Sequence, residues 1–337
     1  MRLMYPGHHS GHHWRSSWLL IAGFFVPLAL VACGGAPTTA QAPTASTSAP
    51  APTPPAAFAN LFTPRYAVAM RPDLAYGSAP LEALDLCTPD HPAAPLPGIV
   101  LIHGGSSTVG DKRAEFDVQG DTLTDLCMGL ASQGFVVASI NYRLAHADPW
   151  PAQVEDAQLA VRWLRAHAQE LNLDSAHLCS VGMSSGSYLA VFLGALTKTL
   201  AGDRAGVYTS QSSQVACVVD FYGPVDLASW IKTSPDNQAE IFDLLRQTPI
   251  SNPKLYREAS PLYAITPSSA RTLIVQGTTD TEVPEAQSRA LEQALQRDHV
   301  PVQYISYDGG HVFAGLDEEQ VRQIFGQVIA FLTSPTP

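Results

Sequence analysis

Four short stretches of the chain carry residues whose types and spacing could do covalent chemistry. Gly182, Met183, Ser184, Ser185 and Gly186 spell Gly-x-Ser-x-Gly, with an apolar run before them and helix-like spacing after them. A strand, a sharp turn and a helix within about fifteen residues would push Ser184 out at the carboxyl edge of a sheet. The glycines at 182 and 186 then have a steric job, because a side chain at either would collide with the neighbouring elements. Gly104, Gly105 and Ser106 follow the run GIVLIH, Gly277 to Asp280 follow RTLIVQ, and Asp308, Gly309, Gly310 and His311 follow VQYISY. A parallel sheet collects its reacting groups at the carboxyl ends of its strands. Two bare backbone stretches, a hydroxyl, a carboxyl and an imidazole at such ends are the parts of acyl transfer through a serine nucleophile.

Several carboxyls compete for the acid's role. Asp280 is preferred over Asp226, Asp308 and Glu282 because it follows a buried strand by a short glycine-containing turn. Asp308 lies only three residues before His311 and suits a local backbone bond. His311 follows two glycines in a loop, a poor place for a packed core histidine. Arg143, in the stretch NYRL, reads as a partly buried structural ion pair.

These residues need a scaffold, and the hydrophobic pattern supplies one. Strand-like runs occur at 66–70, 81–86, 98–103, 135–140, 177–181, 215–220, 271–276 and 302–306. Most are apolar without alternation, as expected of strands covered on both faces. Helical spacing fills the gaps at 122–132, 151–171 and 284–296, and again from Asp317, with Val321, Phe325, Val328 and Leu332 on one face. Such alternation predicts an α/β fold, a mostly parallel sheet of about eight strands with helices on both faces. Residues 226–267 separate two strands by more than a crossover helix needs, and read as a cap or lid inserted after the sixth strand. Phe221, Tyr222 and Trp230, with Ser106, are the candidate pocket residues.

The amino-terminal part stands apart. Arg2 and Arg15 without an acid precede an apolar run at 19–31, which ends in Leu30, Val31, Ala32 and Cys33. That is the outline of a secretory signal, short for a spanning helix, with an uncleaved amino-terminal anchor helix as the alternative. Residues 34–57 are almost only Ala, Pro, Thr, Ser and Gly, the composition of a disordered tether. The folded domain is then expected over 61–337. His8, His9, His12 and His13 lie in the segment expected to be removed and are not read as metal ligands. The formal charge of −11, or −13 without Arg2 and Arg15, argues against nucleic acid as a partner. Export permits disulfides among Cys87, Cys127, Cys179 and Cys217. Three pairings are open, and the apolar surroundings of Cys179 and Cys217 favour free thiols at those two. No Cys/His spacing suggests a metal.

Taken together, the chain resembles the α/β-hydrolases, in the esterase and lipase branch that carries His-Gly-Gly ahead of the nucleophile elbow. The likeness rests on His103-Gly104-Gly105, the 182–186 turn, NYRL at 141–144, DFYGPVDL at 220–227 and the order Ser, Asp, His. It implies Ser184 as nucleophile, His311 as general base and then acid, and Asp280 as the group orienting His311. The oxyanion hole would use the N–H groups of Ser185 and of Gly104 or Gly105. Two positions depart from the family pattern: Ser106 stands where relatives commonly have a third glycine, and Ser187 where they commonly have a second one after Gly186. The implied activity is hydrolysis of carboxylic esters, short-chain, polysaccharide-linked or polyester, without cofactor or metal. A peptidase or amidase on the same triad and a non-catalytic surface binding protein are the alternatives. Leu-Val-Ala-Cys likewise resembles the lipobox of bacterial lipoproteins, implying cleavage after Ala32, lipid at Cys33, and anchoring of an exported protein to the cell envelope.

Overall fold

The computed structural model describes residues 63–116, 120–196 and 207–334. The expected leader, the Cys33 expected to carry lipid and the expected tether all lie outside the described residues. Eight strands form one sheet: β1 (Val68–Ala75), β2 (Ala83–Pro89), β3 (Leu96–Ile102), β4 (Val136–Ile140), β5 (Leu173–Met183), β6 (Cys217–Phe221), β7 (Arg271–Gly277) and β8 (Val302–Tyr307). Their spatial order is β1-β2-β4-β3-β5-β6-β7-β8. β1 and β2 run antiparallel to their neighbours, and all pairs from β4 to β8 are parallel.

Both faces of the sheet are covered, which explains the apolar runs without alternation. Along β3, Val100 and Ile102 enter a core shared with α2 (Ala152–Ala166) and α3 (Ser185–Ala195). Ile99 and Leu101 face the opposite way, into a core shared with α1 (Leu123–Ser132) and α8 (Glu318–Thr333). A side-chain period of two sends successive residues into different cores, so every position must be apolar. Between β6 and β7 the chain makes α4 (Leu227–Thr233), α5 (Gln238–Leu245) and α6 (Pro253–Glu258), and α7 (Glu285–Arg297) follows β7.

The sequence reading differs from the structure at three places. β1 continues past Met70 through Arg71, Pro72 and Asp73, because an edge strand tolerates proline and an irregular register, here between Arg71 and Leu74. α2 ends at Ala166 rather than near Leu171, which is 5% exposed and packs into the same core from a turn, so the apolar spacing outlasts the helix. The largest correction concerns Cys179 and Cys217, which are joined in a disulfide, as are Cys87 and Cys127. Cys179 and Cys217 are register partners on adjacent strands with Cα atoms 4.6 Å apart, a neighbourhood that apolar surroundings alone do not reveal.

Candidate active site

β5 delivers the nucleophile candidate and α3 carries the chain away from it. Ser184 adopts φ +53° and ψ −122°, a left-handed conformation that a side-chain-bearing residue rarely takes. Its N–H donates to the Phe221 carbonyl at 2.9 Å. A Cβ at Gly182 would run into the backbone of Gly186 and Ser187, and one at Gly186 into that of Ile102 and His103. Ser187 fastens the turn to β6: its Oγ accepts the Phe221 N–H at 2.8 Å and its proton lies between the Gly182 and Phe221 carbonyl oxygens. The second family departure is therefore a staple between two strand ends.

β8 and β7 supply the other two members. His311 Nε2 is 3.1 Å from Ser184 Oγ, and Nδ1 is 2.7 Å from Asp280 Oδ2. With Nδ1–H donating to the Asp280 carboxyl, Nε2 is left to accept from Ser184. Asp280 Oδ1 accepts the N–H groups of Glu282 and Val283, each at 2.9 Å. Gln276, fully buried in β7, donates to Asp280 Oδ2 at 3.3 Å and to the Val283 carbonyl at 3.2 Å, while its Oε1 accepts from Ser288 at 2.7 Å. None of the rival carboxyls bonds His311 Nδ1. Asp226 caps α4, Asp308 is exposed, and Glu282 Oε2 is 3.9 Å from His311 Nε2 on a side chain 70% exposed. Arg143 pairs with Asp156 at 2.6 Å and with Glu155 at 3.2 Å, away from Ser184.

The loop after β3 lies against the nucleophile. A Cβ at Gly104 would sit 3.0 Å from the Met183 carbonyl oxygen and 3.2 Å from Ser184 Cβ, so a side chain there would press on the turn that carries Ser184. Gly105, Ser106 and Ser107 all have positive φ, and Ser107 N–H donates to Ser185 Oγ at 3.1 Å, tying the loop to the first turn of α3. His103 stacks on Tyr142 with ring centroids 4.3 Å apart, and its Nδ1 is 2.7 Å from the Gly104 carbonyl oxygen. Burial lowers the His103 pKa to about 4, which keeps the ring neutral near pH 7 and lets Nδ1–H hold the Gly104 peptide. Gly104 thus lies against Ser184 on one side, and Ser185 opens α3 on the other.

Two cavities meet at Ser106. The wider, with about 700 Å³ of empty space open to solvent, is lined by Gly104, Gly105, Ser184, Glu282, His311 and Val312 among others. The narrower has room for little more than one water, about 20 Å³, beside Ser106, Ser185, Tyr188, Trp230 and Leu244. Of the four candidate pocket residues, Ser106 and Trp230 line these cavities. Phe221 does not: it is fully buried with Phe313 and Phe325, because the alternation along β6 turns it into the core beneath α8. Tyr222 is buried as well, and presents its ring edge-on to His311 at 4.7 Å, backing the imidazole rather than facing a cavity. Gln276 escaped the sequence reading, its one signal being a lone polar residue at the end of an apolar strand; Ser187 was noted there only as a departure from the family pattern, without its bonds to β6. Among the described residues no cluster of three or more His, Cys, Asp or Glu is arranged to hold a metal.

Comparison with known proteins agrees with this architecture. The BD-FAE family matches residues 84–295. The esterase LipC of Mycobacterium tuberculosis is 30% identical over 265 residues, covering 76% of this chain and 63% of its own. The esterase LipQ of the same organism is 29% identical over 241 residues, covering 69% of this chain and 54% of its own. This chain therefore spans less than two thirds of the length of either relative. Among solved structures, a truncated form of a carbohydrate esterase from gut microbiota superposes with a TM-score of 0.66 at 26% identity, over 78% of this chain and 96% of that one. The eight-stranded, mostly parallel sheet with its covering helices is the α/β-hydrolase fold.

Proposed function

The chain belongs to the BD-FAE family, and from that premise we propose that it is a serine carboxylic ester hydrolase working through an acyl-enzyme. The observation that carries the reading is the continuous line from Asp280 Oδ2 through His311 to Ser184 Oγ, at 2.7 and 3.1 Å. In the first half-reaction Ser184 Oγ attacks the ester carbonyl carbon while His311 Nε2 takes its proton. The carbonyl oxygen gains negative charge and is held by N–H groups of Ser185 and of Gly104 or Gly105. The imidazolium, kept in place by Asp280, then protonates the departing alcohol as the carbon–oxygen bond breaks. In the second half-reaction His311 removes a proton from water, the hydroxide oxygen adds to the acyl carbon, and Ser184 Oγ leaves with the proton from His311. Asp280 orients and balances charge without taking the proton itself.

Hydrolysis of para-nitrophenyl acetate and butyrate by the chain beside its Ser184→Ala variant tests this reading. Turnover that falls by about 10⁴-fold or more in the variant is expected. No turnover, or equal turnover by both proteins, refutes it. An aminoacyl para-nitroanilide in the same assay separates an esterase from a peptidase, and the anilide is expected to be left intact.

The proposal extends to location. The Leu30 to Cys33 ending suits lipid attachment at Cys33 after removal of residues 1–32, followed by export to the cell envelope. Two disulfides support an oxidising compartment.

A further inference from the structure

The hydrolase reading brings one end of the ester beside a carboxylate that the reaction does not use. The leaving alcohol receives its proton from His311 Nε2, so its oxygen must come within about 3 Å of that atom. Glu282 Oε2 stands 3.9 Å from the same nitrogen. Glu282 also lines the wider cavity, together with Ser184 and His311. Substituents carried close to the leaving oxygen therefore fall within the screening length of salt water around this carboxylate, about 8 Å at physiological ionic strength.

An exposed glutamate is usually free to shift, but the backbone of this one is held on three sides. Its N–H donates to Asp280 Oδ1 at 2.9 Å, and its carbonyl accepts from Trp230 Nε1 at 2.8 Å and from Asn237 Nδ2 at 3.2 Å. The first bond ties Glu282 to the carboxyl that orients His311. The other two come from α4 and from the 3₁₀ turn Pro235–Asn237 that follows it, so the cap fixes the root of the side chain at the rim of the triad. Nothing of opposite charge stands beside it in the cavity. Glu115 is a second carboxylate in the lining, and no lysine or arginine lines it among the described residues.

We infer that Glu282 is a specificity-determining residue, which turns away esters whose leaving alcohol carries negative charge. The inference rests on the hydrolase reading above. Like charges a few ångströms apart repel, by an amount that water reduces without erasing. A repulsive group set against one class of substrate gives discrimination without any new contact to the preferred class. Neutral and cationic alcohols leave past Glu282 unopposed, whereas alcohols bearing a carboxylate, sulfate or phosphate near the ester oxygen are disfavoured.

The test uses the full chain and two aryl acetates of nearly the same shape, 3-acetoxybenzamide and 3-acetoxybenzoate, whose leaving phenols differ by one negative charge. The ratio of their kcat/KM values, amide over carboxylate, is expected to fall about threefold in Glu282→Gln, the modest scale of an exposed charge pair. It should fall further in Glu282→Lys. Comparing ratios between proteins removes the intrinsic difference in reactivity of the two esters and the influence of distant charges common to all three proteins. In the unmodified chain the same ratio should fall as salt is raised from about 0.02 M to about 0.5 M, because a shorter screening length weakens the repulsion. A ratio that Glu282→Gln leaves unchanged, or that salt leaves unchanged in the unmodified chain, overturns the inference while leaving the hydrolase reading intact. If the unmodified chain hydrolyses neither aryl acetate, both fall.

Discussion

Residues that never touch the substrate hold this site together, and Gln276 is the clearest. It bonds Asp280, the Val283 carbonyl and Ser288 from the end of β7, and so fixes the turn that presents the carboxyl to His311. Gln276→Leu is expected to lower kcat on para-nitrophenyl acetate by roughly tenfold with little change in KM, as removing a group that orients a reacting one does. A KM effect without a kcat effect would contradict this positioning role. Asp220 gives a second residue-scale prediction. It is fully buried near the end of β6, with Oδ1 accepting the Gly223 N–H at 2.9 Å and Oδ2 taking no bond from any described residue. Burial pushes its pKa up to about 7. The native state therefore binds this proton more tightly than the unfolded chain, so its contribution to stability is present below the ordinary carboxyl range and is lost as pH rises through about 7. Asp220→Asn mimics the protonated form, and in thermal melts should stabilise the protein relative to the unmodified chain more at pH 8 than at pH 5. A pH-independent difference would show that Asp220 is not the group involved. Ser184, Asp280 and His311, which the structure brings together, could be picked out in the sequence because each sits at a strand end with a turn of recognisable composition. Gln276, Ser187 and Tyr222 were not, since their roles depend on which strand end lies beside which.

At the scale of elements, adjacency is what the sequence conceals. Periodicity locates β5 and β6 separately, but their parallel pairing, with Cys179 opposite Cys217, exists only in the sheet. The same limit applies to Phe221, whose strand was read correctly and whose face was not, because a run apolar at every position carries no mark of which side each residue takes. The bridge closes a loop with a sequence separation of 38 residues. On chain-entropy grounds a loop of that length stabilises by about 4 kcal/mol. The paired substitution Cys179→Ala, Cys217→Ala should lower the unfolding free energy by a comparable amount in urea titration. An unchanged midpoint would mean that the unfolded chain gains nothing from the missing link.

Of the twelve non-glycine residues with positive φ among the described residues, six lie around the candidate site. Ser106, Ser107, Ser184, Tyr222, Val312 and Phe313 all adopt such backbones, and they come from four different strand ends. Strain of this kind persists only where surrounding packing over-determines it, which here is the double-sided core of a sheet covered on both faces. The amino-terminal reading has its own check at this scale. Mass spectrometry of the mature protein from its host should find a lipid-modified Cys33 as the first residue, and an unmodified or internal Cys33 would refute the anchor.

The bridge between β5 and β6 also decides what happens if the chain is cut. Ser184 lies inside the loop it closes, while Asp280 and His311 lie beyond it. A protease that cleaves once between Gln211 and Gln214, in the connection leading to β6, would produce two polypeptides with Ser184 on one and Asp280 and His311 on the other. The sulfur–sulfur link would keep them a single covalent species, so the nicked protein should run under denaturing conditions as one band without reductant and as two with it.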